Sequence, residues 1–282
     1  INYDSGIKLY LNGVQLSTTN VSSAAQYVAM VGQSDLLIGR WRPDSCNETI
    51  DEFAVWNKTL TADKISEHAG AKILDYSNYG NNGTRNFNST SDFGRNFTDG
   101  KFSKALLFDG VNDFVNVSDT ASLDVTNMTL EAWIYRGSSG TRDMIVTKTN
   151  NGNDGWQLEV EDTSNVISYS DANSGCTAGS SLLGSTTILT NQWYHVAATR
   201  SSDDLRKVYV NGILDGSVSD TNGVCVNNIA VMIGRRGDLG NPFDGRIDEL
   251  SIWNVSLSAD DIRRHYERGV LKLNLSYRTS QD

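Results

Sequence analysis

The chain of 282 residues contains one set of motifs twice, and this internal repeat limits its possible folds more than any other feature. The longest match aligns residues 50–57 (IDEFAVWN) with residues 247–254 (IDELSIWN), which lie 197 positions later. A strand segment entering an Asn-Gly turn precedes each copy, at residues 9–14 and 208–213. The sequence therefore contains the same structural module more than once.

The two copies differ in completeness. A short helical turn follows each of them, near residues 61–69 and 258–268. Only the second copy is preceded by a long series of strand segments with period-two alternation, bounded by turn residues. We therefore predict the C-terminal part of a module at residues 1–70, a complete module at 71–269, and a lone strand or the start of a following domain at 270–282.

Composition and charge exclude several classes of function. The 25 Gly and only 2 Pro are typical of a protein built from strands and turns. The net charge of −10, with no basic run, argues against a nucleic-acid partner. No stretch approaches the roughly 20 apolar residues of a membrane span. Because the chain begins without Met and without a signal peptide, we expect a mature or excised piece of a protein.

Five motifs follow one another in an order that identifies a known family. They are residues 108–114 (FDGVNDF), 130–134 (LEAWI), 193–197 (WYHVA), 210–212 (VNG) and 245–249 (GRIDE). In this order they resemble the successive motifs of laminin-G-like, concanavalin-A-like modules, in full over about residues 75–269 and in part over 1–70. The resemblance implies an all-β fold, an antiparallel two-sheet β-sandwich or jelly roll.

The same resemblance implies a structural calcium ion, because many modules of this family carry one near their opening and closing motifs. Asp109 and Asp248 are the candidate ligands by this resemblance, and Asp51 is the counterpart in the partial copy. Carboxylate oxygens are the ligands that Ca²⁺ prefers. The alternative is that these aspartates cap turns beside glycine residues.

Asn-x-Ser/Thr sequons indicate the cellular compartment in which the protein is located. The chain has ten of them, about twice the number that its composition gives by chance. We expect N-linked glycans and an extracellular or cell-surface location, although a polar, Asn-rich sequence also produces accidental sequons. The sequons are at Asn20, Asn47, Asn57, Asn82, Asn88, Asn96, Asn116, Asn127, Asn254 and Asn274.

The three cysteines give no metal-binding pattern. None is part of a CxxC motif, so a zinc or iron–sulfur site is not expected. In an oxidising compartment Cys176 and Cys225 are a plausible disulfide pair. Cys46 is then left over, as a buried free thiol or as the partner of a cysteine elsewhere.

An enzymatic function is not expected. Glu159 and Glu161 have the spacing of a carboxylate pair on one strand face, but a solvated sheet face gives the same alternation. Most tryptophans lie in strand motifs and are expected in the core. Trp156 follows the polar segment 150–155 and is the candidate for stacking on a sugar.

Two classes of function remain. The first is a glycosylated structural or adhesive surface protein, either part of a multi-repeat chain or a filament in which copies share strands. The partial module supports this hypothesis, because it lacks strands that an adjacent repeat or another copy must supply. The alternative is a calcium-dependent, carbohydrate-binding module with glycans as partners.

Overall fold

The computed structural model describes residues 10–11, 14–15, 60–61, 65, 72–87 and 97–268. The chain divides into two compact units, Ile1–Gly70 and Ala71–Asp282. Several predictions lie outside the described residues: Asp51, Cys46, the strand at 270–282 and the sequons at Asn20, Asn47, Asn57, Asn88, Asn96 and Asn274.

The described part of the first unit contains a short hairpin. Strand β1 (Tyr10–Leu11) pairs antiparallel with β2 (Val14–Gln15), and Leu11 lies opposite Val14. The two strands flank the Asn-Gly dipeptide, as its turn preference predicts. The Ile65 N–H donates to the Thr61 carbonyl at 3.0 Å, which is one hydrogen bond of the predicted helical turn.

The second unit contains two antiparallel sheets. The larger has the strand order β12-β11-β10-β9-β16-β7-β4-β3, and the smaller has the order β15-β14-β13-β8-β17-β6-β5. In chain order the strands are β3 (Lys72–Ile73), β4 (Gly83–Asn86), β5 (Phe97–Asp99), β6 (Lys104–Asp109), β7 (Phe114–Val117), β8 (Met128–Arg136), β9 (Asp143–Lys148), β10 (Trp156–Val160), β11 (Val166–Ala172), β12 (Gly179–Thr187), β13 (Trp193–Arg200), β14 (Leu205–Val210), β15 (Ile213–Ser219), β16 (Val231–Ile233) and β17 (Asp244–Trp253). The predicted all-β, two-sheet sandwich is confirmed.

The core lies between the two sheets, and period-two alternation explains how it forms. In β10, Trp156, Leu158 and Val160 face the core, while Gln157 and Glu159 project from the opposite face of the larger sheet. Similar alternation in the neighbouring strands produces one continuous apolar layer. Among the described residues, no helix has the length and apolar character needed to cross a membrane.

Helix α1 (Ala259–Tyr266) covers the outer face of the smaller sheet. It begins with the predicted capping box, in which the Ser258 hydroxyl accepts from the Asp261 N–H and the Asp261 carboxylate accepts from the Ser258 N–H. Ile262 is fully buried and packs against Ala197 and Tyr209. The helix adds an apolar contact on the side of the sheet that faces away from the main core.

Strand register brings several loops to one end of the sandwich, called here the disulfide end. There β10 begins at Trp156, opposite Lys148 of β9 and Asp171 of β11. The start of β4 and the end of β7 meet at the same end, as do the start of β8 and the end of β17. The loops β3–β4 and β7–β8 and the segment after β17 therefore lie close together.

Candidate functional site

The disulfide end contains the disulfide bond that the sequence predicts. Cys176 and Cys225 are bonded, with their Cα atoms 4.9 Å apart. Cys176 lies in the β11–β12 loop and Cys225 precedes β16. The bond therefore joins two loops that border the same end of the sandwich.

The two candidate calcium ligands in the complete module are not brought together. The Asp109 carboxylate accepts the backbone N–H groups of Val111 and Asn112, at 2.8 and 3.0 Å. In the strand register Asp244, rather than Asp248, lies opposite Asp109. Four residues of strand separate Asp248 from that position, on the order of 13 Å.

Asp248 has its own structural role. One of its carboxylate oxygens accepts the Phe102 N–H at 2.9 Å, and the other accepts the Glu249 N–H at 2.8 Å. Within residues 72–87 and 97–268, no group of three or more His, Cys, Asp or Glu side chains is arranged to hold a metal ion. The geometry favours the turn-capping interpretation of both aspartates, and calcium binding stays a prediction.

Trp156 is not available to stack on a sugar. Its side chain is only 1% exposed and belongs to the core between the sheets. The predicted sugar contact is therefore wrong. The reason is visible in the strand pattern, because Trp156 has the same parity as the core residues Leu158 and Val160.

Glu159 and Glu161 are both engaged by Arg142. The guanidinium lies 3.1 Å from a Glu159 carboxylate oxygen and 3.7 Å from a Glu161 carboxylate oxygen. Burial raises the pKa of Glu159 above its ordinary value, against the opposing charge of Arg142. Glu161 also accepts backbone N–H groups of the β10–β11 turn, from Thr163 and Ser164. Both glutamates therefore have partners within the fold.

An open cleft of about 230 Å³ lies at the disulfide end. We call it the end cleft. It is formed by the β3–β4 loop, the β7–β8 loop and the residue that follows β17. Its lining consists of Tyr79, Ala121, Ser122, Asp124, Val125, Thr126, Asn127 and Asn254.

Hydrogen bonds between loops hold the aromatic wall of the end cleft in place. Asn81 donates to the Ser122 hydroxyl at 3.0 Å, and its amide oxygen accepts from the Thr120 hydroxyl at 2.8 Å. The Asp75 carboxylate accepts the Asn81 N–H at 2.7 Å and so closes the β3–β4 loop. Tyr79, within this loop, keeps 63% of its surface exposed. The cleft thus has an exposed aromatic ring on a braced loop.

Asp124 supplies the carboxylate of the end cleft, and the buried Lys148 orients it. The Asp124 Oδ1 atom lies 3.4 Å from the Lys148 ammonium. That ammonium also pairs with Asp119 and donates to the carbonyls of Asn227 and Ile229, both at 2.9 Å. Lys148 therefore connects Asp119 and Asp124 in the β7–β8 loop with the segment before β16.

Two predicted glycosylation sites border the same cleft. Asn254 is exposed, whereas Asn127 is half-buried and its amide oxygen accepts the Ser256 N–H at 3.0 Å. The other described sequons are at the exposed Asn82 and at Asn116, which is half-buried in β7. Attached glycans stay a prediction at all of them.

Tyr79 and Asp124 are not among the site residues that the sequence predicts. The polar segment 75–83 contains two aromatic residues, Tyr76 and Tyr79, although turns rich in Asn and Gly seldom need one. This signal marks the loop but does not tell which of the two lines a cleft. Nothing in the sequence indicated Asp124, since it lies in the β7–β8 loop and its role depends on Lys148 at the end of β9.

These observations define a jelly-roll module with an open, polar and partly aromatic cleft at one end. Residues 109–263, more than half of the chain, match the family model of the concanavalin A-like lectin/glucanases superfamily. The chain belongs to this laminin-G-like family, as the motif order predicts.

Similar proteins include a toxin and several binding domains. The botulinum-like toxin eBoNT/J of Enterococcus sp. is 23% identical over 116 residues, which cover 40% of this chain and 9% of the toxin. The chain thus matches only a small part of that curated relative.

Two solved structures share the fold. Domain 4 of the extracellular arabinanase AbnA from Geobacillus stearothermophilus, in complex with arabinotriose, is 22% identical with a TM-score of 0.54, covering 70% of this chain and 93% of that domain. The receptor-binding domain of botulinum neurotoxin mosaic serotype C/D is 19% identical with a TM-score of 0.55, covering 70% of this chain and 48% of that one. At these identities the likeness establishes the fold.

Proposed function

We propose that this chain is a non-catalytic, carbohydrate-binding adhesive module displayed outside the cell. Its glycan ligand binds in the end cleft. The main supporting observation is the combination of an exposed Tyr79 ring with the Asp124 carboxylate and the amides of Asn127 and Asn254 in one cleft.

This combination suits the surface of a sugar. The ring of Tyr79 offers a flat apolar face for the C–H groups of a pyranose or furanose. The carboxylate and the amides accept and donate hydrogen bonds at the positions of hydroxyl groups. Small-molecule sites in proteins commonly combine an aromatic wall with a few polar groups in this way.

The relatives support a binding function rather than catalysis. One solved relative is an arabinanase domain in complex with arabinotriose, and others are binding domains of toxins. The chemistry of each ligand belongs to that protein, so the glycan of this chain is left to experiment.

An extracellular location accords with three features of the chain. It has a disulfide, it has ten sequons, and it is similar to domains of a toxin and an extracellular enzyme. Display in a multi-repeat protein, or in a filament of copies that share strands, would give such a module many weak contacts at once. Calcium dependence, and N-linked glycans at the sequons outside the end cleft, belong to this proposal and need their own tests.

The test compares two exposed tyrosines of one loop. Tyr79 lines the end cleft, whereas Tyr76 is 95% exposed and does not. We expect the full chain to bind neutral oligosaccharides on a glycan array, and Tyr79→Ala to weaken binding at least about tenfold, or about 1.4 kcal/mol. Tyr76→Ala should bind like the unmodified chain. Equal loss in both variants, or no binding to any glycan, contradicts the proposal.

A further inference from the structure

The end cleft has a single charged side chain among the described residues that line it. That residue is Asp124; the others are aromatic, amide, hydroxyl or aliphatic. A sugar in the cleft therefore lies against a carboxylate, and no cationic side chain of the lining neutralises it. The charge of Asp124 consequently decides which ionised sugars can enter.

Lys148, which pairs with this carboxylate, does not neutralise it fully. An ammonium group has three N–H donors. Those of Lys148 are directed to Asp119 and to the carbonyls of Asn227 and Ile229. Lys148 shares its one positive charge between Asp119 and Asp124, so the three side chains together carry a net negative charge.

Part of the Asp124 side chain is open to the cleft. Its Oδ1 atom is buried, 3.4 Å from the Lys148 ammonium, and accepts no hydrogen bond. The side chain as a whole is 26% exposed and lines the cleft, so a ligand there lies beside its negative charge. A ligand hydroxyl or amino group can donate to a carboxylate, whereas a ligand carboxylate or sulfate cannot.

We propose that Asp124 makes the end cleft selective for neutral and amino sugars over acidic sugars. This inference rests on the proposed function of the cleft and names the class of its ligand. A uronate or sulfate group held next to Asp124 places two like charges a few ångströms apart in a partly desolvated site, where repulsion exceeds its value in water. The discrimination therefore comes from one residue.

The experiment uses pairs of oligosaccharides that share a backbone and differ in charge. Oligogalacturonate is compared with its methyl ester, and chitosan oligomers are compared with chitin oligomers. Binding of the full chain is measured at pH 6 by biolayer interferometry. We expect the ester to bind at least about tenfold more tightly than the free acid, and chitosan oligomers to bind at least as tightly as chitin oligomers.

Two variants separate local charge from net charge. Asp124→Asn should abolish the preference of the ester over the acid, since it removes the carboxylate and keeps its shape. Asp162→Asn removes the same charge from the exposed turn at the opposite end of β10, and it should leave the preference unchanged. Each substitution creates an Asn-x-Ser/Thr sequon, at residues 124–126 and 162–164, so all proteins are produced in a host that adds no N-linked glycans. Thermal melting of both variants checks that they are folded.

The outcomes distinguish this inference from the proposed function. Equal or tighter binding of the free acid, or an unchanged preference in Asp124→Asn, overturns the inference while glycan binding itself stands. Absence of binding to all four oligosaccharides and to every glycan of the array overturns the proposed function, and the inference falls with it.

Discussion

At the scale of single residues, Asp171 links the two sheets at the disulfide end. Its buried carboxylate pairs with Arg200 and Arg206, each at 2.9 Å, and accepts the Tyr169 hydroxyl at 2.9 Å. The two arginines come from the smaller sheet and Asp171 from the larger sheet. The cluster therefore connects the two layers of the sandwich at the disulfide end.

Removing Asp171 should leave each of the two buried guanidinium groups with one carboxylate fewer, since Arg200 keeps Asp204 and Arg206 keeps Asp220. We expect Asp171→Ala to lower the free energy of unfolding by about 1–3 kcal/mol, because buried hydrogen bonds to charged groups are lost. Asp260→Ala, which breaks the exposed pair with Arg263, should cost less than about 1 kcal/mol. Urea denaturation of both variants measures the difference. Equal losses would mean that the buried cluster is not important for stability.

Glu161 should titrate well below an ordinary glutamate. Hydrogen bonds from the backbone and hydroxyl of Ser164 lower its pKa to about 2. A carboxyl whose pKa is depressed in the folded state stabilises it above the unfolded pKa of about 4.3. This contribution is lost as the pH falls from about 4.3 toward 2.

NMR titration of the Glu161 side-chain carboxyl carbon checks this directly. The midpoint should lie near the value of about 2. Glu161→Gln should lower the free energy of unfolding at pH 7. The variant should also lose less stability between about pH 4.3 and pH 2 than the unmodified chain, because it lacks the Glu161 carboxylate. A midpoint in the ordinary range of glutamate would show that the turn does not hold this carboxylate.

At the scale of elements, alternation and capping made most of the secondary structure predictable. The strand pattern of β10 and the capping box of α1 are both readable from the sequence, because they depend on near neighbours. The sites were less predictable. A calcium site shared by Asp109 and Asp248 required a register that the structure does not have, since Asp244 lies opposite Asp109.

Long-range contacts explain the remaining differences. The end cleft joins residues from the β3–β4 and β7–β8 loops with Asn254. These residues are far apart in the chain, so the local sequence does not predict their contact. Glu131 is a similar case. It accepts the Trp253 indole N–H at 2.8 Å and lies 2.9 Å from the His265 ring nitrogen, so it fastens α1 to the smaller sheet.

The disulfide should stabilise the loops at the cleft end. It joins cysteines 49 positions apart, and on the chain-entropy model closing a loop of that length contributes about 4 kcal/mol. We expect reduction, or Cys225→Ser, to lower the free energy of unfolding by roughly this amount. Guanidinium denaturation with and without reductant measures it. Identical midpoints would contradict the structural role of the bond.

At the scale of the whole molecule, the repeat implies unequal folding of its two parts. Residues 1–70 repeat only the last part of the module, so we expect this segment to need strands from outside it to complete a sandwich. Residues 71–282 contain both sheets of the sandwich. Completion of the partial copy by an adjacent repeat or by another chain stays a prediction.

Separate expression tests this difference. We expect residues 71–282 to melt cooperatively as a monomer and residues 1–70 alone to show no cooperative transition in circular dichroism. Sedimentation velocity checks the oligomeric state of each fragment. A cooperative melt of monomeric 1–70 would contradict the interpretation of this segment as an incomplete module.

The most direct test of glycan binding in the end cleft is a chemical-shift map. The isotope-labelled full chain is titrated with the oligosaccharide that binds most tightly on the array. The largest amide shifts should occur at Tyr79, at residues 121–127 and at Asn254, and they should shrink in Tyr79→Ala. Shifts confined to another surface, such as the Arg142 side of the larger sheet, would contradict the assignment of the end cleft as the binding site.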